Sequence, residues 1–112
     1  MSVWEPCDDF EGPWKLVKLT GCESLGATSQ FYFWGHDGVG QLDFAAVAGF
    51  LECKYGETPE GLPAVTFKLD GLDGEKPIRG SGLGAIQRDG KTLQGSLKIG
   101  RRASAFVAQR ET

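Results

Sequence analysis

Long apolar runs are missing from this chain. The longest, Phe44 to Leu51, covers eight residues, well short of the roughly 20 that a membrane-spanning helix needs. The opening residues, MSVWEPCDDF, are acidic where a secretory signal would be basic and then apolar, so no targeting segment is expected. A basic surplus is missing too: 12 Lys and Arg against 15 Asp and Glu leave a net charge of −3. Affinity for nucleic acid needs phosphate-neutralising surface, so this balance argues against a nucleic-acid partner. Histidine occurs once, at His36, and cysteine three times, at Cys7, Cys22 and Cys53. An odd number without ligand-like spacing cannot form a full disulfide framework and gives no metal site, so thiols in a reducing cytoplasm are expected. Helical periodicity is also missing. No apolar pattern at i, i+3, i+4, i+7 persists for three turns, which leaves little room for α-helix.

What is present is a period of two. Leu93, Gly95, Leu97 and Ile99 alternate with Thr92, Gln94, Ser96 and Lys98, the pattern of a strand with one face in a core and the other in water. Asp89-Gly90 before it and Gly100-Arg101 after it suit tight turns, and Ala103 to Gln109 follows as the next strand. The same alternation marks Trp14 to Thr20, although there both faces carry apolar groups and the buried one stays open. It recurs around Leu42 and Phe44, in Leu51, Cys53 and Tyr55, and in Val65, Phe67 and Leu69. Phe31 to Trp34 is aromatic on both faces and ends at His36-Asp37-Gly38, a turn. Gly56 to Pro63 reads as a surface loop, Gly71 to Gly74 as a turn, and Gly21 to Ser29 as a loop.

Glycine is plentiful, 17 residues in 112, which suits many turns and strand bends. The count of about eight short strands predicts a single all-β domain over residues 1–112, with an N-terminal arm at 1–12 pinned by Trp4 and Phe10. Eight strands is the number at which an up-and-down antiparallel sheet closes into a barrel. An open or sandwiched antiparallel sheet is the alternative.

Gly12-Pro13-Trp14 resembles the G-x-W start of lipocalins, fatty-acid-binding proteins and other calycin barrels, in which the tryptophan plugs the closed end. More of the chain resembles a group of small uncharacterised bacterial proteins. There a similar start is followed by stretches like GQLDFAAVAGFLECKYG (Gly40 to Gly56), PAVTFKLDGLD (Pro63 to Asp73), RGSGLGAIQRDG (Arg79 to Gly90) and SAFVAQR (Ser104 to Arg110). The resemblance implies a calycin-like barrel and supplies no established activity. Leu83 stands where that pattern often has a tryptophan, and Arg101 and Arg102 where it has acidic residues.

No catalytic constellation emerges. His36 sits in a turn, and the carboxylates of Asp8, Asp9, Asp70, Asp73 and Glu52 fall at loop or outward strand positions, where solvation explains them. Gly80, Gly82 and Gly84 precede strand and hairpin rather than helix, so GSGLG is not a phosphate loop. They bare one strand face instead, suited to bending or to an aromatic lying on the sheet. Lys98, Arg101, Arg102 and Arg110 gather near the final hairpin in sequence and read as a solvated face rather than an anion site. The expected function is non-enzymatic: protein interaction or self-association, with Tyr32 and Trp34 as surplus aromatics at an interface. The alternative is a small apolar or aromatic ligand held inside the barrel by Trp14, Phe33, Phe44, Tyr55 and Phe67. No cofactor is implied.

Overall fold

A computed structural model of the protein describes residues 9–21 and 29–110, the side chain of His36 apart. Its strands are β1 (Gly12–Leu19), β2 (Gln30–Trp34), β3 (Val39–Phe44), β4 (Val47–Glu57), β5 (Pro63–Asp73), β6 (Lys76–Ile86), β7 (Thr92–Ile99) and β8 (Arg102–Arg110). Each runs antiparallel to the next, and β8 returns to pair with β1, closing the sheet into a barrel. Closure leaves no unpaired sheet edge. The expected up-and-down barrel of eight strands is therefore the fold, and the open sheet is not. Among the described residues, helix is limited to a turn at Asp9 and Phe10 and one 3-10 turn at Gly35–Asp37. No helix among the described residues is long and apolar enough to cross a membrane.

Directly opposed residues on neighbouring strands share a face, so register sorts inside from outside. Leu51 pairs with Leu69, Cys53 with Phe67, and Phe67 in turn with Gly82. These and their period-two neighbours fill the interior. In β1 the ambiguity of two apolar faces is resolved by an irregularity. Leu16 opposes Ala108 and Lys18 opposes Val107, so β1 carries one extra residue against β8. That bulge moves Leu19 onto the inner face with Trp14 and Leu16, all three buried, and leaves Val17 exposed.

The turns follow their residues, with two shifts of boundary. Gly38 closes the 3-10 turn in the left-handed conformation, and Gly100 does the same in the two-residue link between β7 and β8. The turn expected at Gly71 to Gly74 lies further along, because Gly71 still pairs with Gly49 and Ile78, and Asp73 still pairs with Lys76. The strand outlasts its own turn signal because the facing glycines at 49 and 71 let the two backbones approach closely. The loop at 56–63 is likewise shortened, since Gly56 and Glu57 remain in the β4–β5 ladder.

Candidate functional site

The barrel has two unlike ends. At one, Phe10, Trp14 and Phe33 are fully buried and Tyr55 is half-buried. The Phe10 ring lies 5.5 Å from Phe33 and 5.3 Å from Tyr55, centroid to centroid. The indole N–H of Trp14 donates to the carbonyl of Phe10 at 3.0 Å, which answers the one polar group of a buried tryptophan. Arg110 lies over the same ring with its guanidinium carbon 4.3 Å from the centroid. It also donates to the carbonyls of Asp9 and Glu11. The backbone N–H of Gly35 donates to the Glu11 carboxylate at 2.5 Å. Residues 9–11 are thus tied across this end by β2, β8 and the 3-10 turn.

The middle is equally full. Phe31 contacts Phe67 and Phe106 at centroid distances of 5.8 and 4.9 Å. A β-carbon on Gly82 would overlap the Phe67 ring and lie 2.6 Å from the Ser96 carbonyl oxygen. The bared glycine face is therefore covered by an aromatic, as the sequence favoured.

At the other end the packing of the described residues stops. A concavity of about 620 Å³ opens there, its floor made by Leu19, Phe44, Val47, Ile78, Leu97 and Ile99. Around it stand Asp73, Lys76, Arg79, Arg101, Arg102 and Ser104. The β3–β4, β5–β6 and β7–β8 turns supply this rim because alternate hairpins of an up-and-down barrel all point the same way.

Of the five residues expected to hold a ligand, Phe44 lines this mouth. Trp14 and Phe33 are in the plugged end, Phe67 is in the packed middle, and Tyr55 lies against Phe10. Their sequence signal was size and alternation, which finds the inner face but not the depth along the axis. Ile78 and Ile99 were missed because they sit beside turns. Tyr32 and Trp34 do lie on the outer face, ring centroids 4.7 Å apart. Phe50, 72% exposed, joins that face and was not singled out by the sequence.

The grouping of basic residues needs correction. Arg110 is not with Arg101 and Arg102: it is at the far end of β8, on Trp14, because a strand of that length carries its two ends to opposite rims. Glu52, Asp70 and Asp73 are exposed. Trp4, Cys7, Asp8, Cys22 and the His36 side chain lie outside the described residues, as do residues 22–28 of the stretch expected as a loop, Gly21 to Ser29. Among the described residues no group of three His, Cys, Asp or Glu could hold a metal ion. Cys53 is a free thiol, 7% exposed. Burial pushes it up to about 11, against the lowering effect of a side-chain hydrogen bond with Tyr55. Comparison of the chain with protein-family models, with curated proteins and with solved structures found no match in any of the three.

Proposed function

We propose that this protein is a non-enzymatic binding module that holds a small apolar or aromatic molecule in the mouth of its barrel. The supporting observation is the contrast between the ends: one is plugged by Phe10, Trp14 and Arg110, the other opens a concavity of about 620 Å³ over an apolar floor. Ligand sites span about 300–1,000 Å³ and combine apolar lining with a few polar groups. The G-x-W start and the eight-stranded meander support a calycin-like reading, in which a plugged base and an open mouth are the working arrangement.

The test is titration with N-phenyl-1-naphthylamine, a neutral fluorophore of suitable size. Saturable one-to-one binding is expected, lost when Ser104→Trp fills the mouth while the circular dichroism spectrum stays unchanged. Lack of saturable binding, or binding indifferent to Ser104→Trp and to a second filling variant, Ile99→Trp, overturns the reading.

A second reading, self-association, draws on the outer face. Trp34 opposes Val39, and Phe50 and Leu72 continue diagonally across β4 and β5. All four are exposed. The charges beside them balance, Glu52 opposite Lys68 and Asp70 opposite Arg79. A balanced stripe does not suit an anionic surface. It suits a second copy, since a two-fold axis along the β4–β5 seam lays Glu52 of each copy over Lys68 of the other.

A further inference from the structure

The mouth carries a charge bias that the whole chain does not. Among the described residues its lining holds Lys76, Arg79, Arg101 and Arg102 against one acid, Asp73, in a chain whose net charge is −3. Glu75 lies at the tip of the β5–β6 turn, outside the lining. Register separates these bases into two kinds. Lys76 opposes Asp73 and Arg79 opposes Asp70, so each has an acid beside it across the ladder. Arg102 opposes Ile99, an apolar residue of the cavity floor, and Arg101 is in the turn next to it. All four are exposed, and none has an ion-pair partner among the described residues.

The inner-face position of Arg102 follows from the same ladder. Ile99 opposes Gly80, Gly80 opposes Leu69, and Leu69 is in the core, so Ile99 and Arg102 share the face that looks into the barrel. Arg102 therefore stands where the apolar floor ends and solvent begins. Lys76 reaches the same level from β6, through its pairing with Asp73 and that of Asp73 with buried Val47. A guanidinium at the edge of an apolar floor recognises a planar or tetrahedral anion by charge-assisted hydrogen bonds, while the floor takes an uncharged body.

We infer that the ligand of the mouth is an apolar or aromatic molecule bearing one anionic group, a carboxylate, sulfonate or phosphate, anchored at Arg102 with Lys76 supporting. The inference rests on the binding reading above and adds a chemical class and a polarity: anion at the rim, apolar body over Phe44 and Ile99.

The experiment compares two probes that share an aromatic body. 1-Anilinonaphthalene-8-sulfonate carries the anion, and N-phenyl-1-naphthylamine lacks it. The sulfonate should bind about tenfold more tightly, the size expected of one charge-assisted contact at a partly solvated rim. Arg102→Gln should remove most of that preference and Arg102→Gln with Lys76→Gln the rest, read as the ratio of the two probes' affinities within each variant. Raising the salt concentration on the unaltered protein should weaken the sulfonate alone, a readout that needs no variant. Equal affinity for the two probes, or a preference that survives both substitutions and high salt, overturns the inference and leaves the binding reading standing. If neither probe binds in a manner sensitive to Ser104→Trp or Ile99→Trp, the binding reading itself fails.

Discussion

Gly82 and Phe67 act as one unit. The ring occupies the space where a side chain at position 82 would stand, so Gly82→Ala overfills a packed layer. Overpacking typically costs about 1–3 kcal/mol, and chemical denaturation of Gly82→Ala should show a loss in that range. Gly56 is the control, because no atom lies within 4 Å of a β-carbon built there. Gly56→Ala should change stability by less than about 0.5 kcal/mol or raise it slightly. Cys53 offers a second test at this scale. Its folded-state value of about 11 lies above the ordinary 9.0, so between those two pH values the unfolded chain has released the thiol proton and the folded chain has kept it. Stability must then fall as pH rises through that window, by roughly 2–3 kcal/mol at most. Well below pH 9 the thiol contributes no pH dependence. Denaturation curves from pH 8 to 11, compared with those of Cys53→Ala, isolate the effect as the difference in slope. The same burial predicts that iodoacetamide leaves Cys53 unmodified in the folded protein at pH 8 and reacts with it in urea.

Among the elements, strands were legible wherever one face is buried and the other wet, as in β4, β5 and β7. Alternation reports that asymmetry directly. β1 was ambiguous because its bulge changes the phase of the alternation after Leu16, and a phase change looks like two apolar faces. The β5 boundary slipped because Gly71 has the chemistry of a turn and the job of a close contact with Gly49. The site was harder to read than the strands. Inner-face residues share one sequence signature whether they fill the plug or line the mouth, and depth along the axis depends on closure. β8 shows this best, with Arg102 at the mouth and Arg110 on the plug. Arg110 couples β8 to residues 9–11 and covers Trp14, so Arg110→Ala removes a cation–π contact and two backbone-directed hydrogen bonds. A destabilisation of about 1–3 kcal/mol is expected in urea titration. Arg110→Lys should recover part of it, because the ammonium keeps the charge but not the planar fork. Neither substitution should shift probe affinity at the opposite rim.

For the whole molecule, closure is the event that creates two ends and an outside. Once β8 meets β1 the interior has room for one set of aromatics, and those of opposite parity must face outward. Tyr32 and Trp34 were foreseen there. Phe50 was not, because it falls inside the apolar run Phe44 to Leu51, where no polar residue marks an outer face. Its exposure of 72% and its continuity with Trp34, Val39 and Leu72 give the outside an apolar stripe that does not depend on the mouth. The two surfaces should therefore separate by mutation. Sedimentation velocity at micromolar to millimolar concentration should show a monomer–dimer equilibrium for the unaltered protein. Phe50→Glu should shift it to monomer by placing an unpaired charge in the seam, with the melting temperature within a few degrees of the original since no core contact is lost. N-Phenyl-1-naphthylamine should bind Phe50→Glu as it binds the parent. A protein that stays monomeric throughout that range removes self-association and leaves the mouth untouched. A dimer insensitive to Phe50→Glu would move the contact elsewhere on the barrel. If Phe50→Glu abolished probe binding, the two surfaces would be coupled, and a dimer-dependent pocket would replace the single-chain mouth as the binding unit.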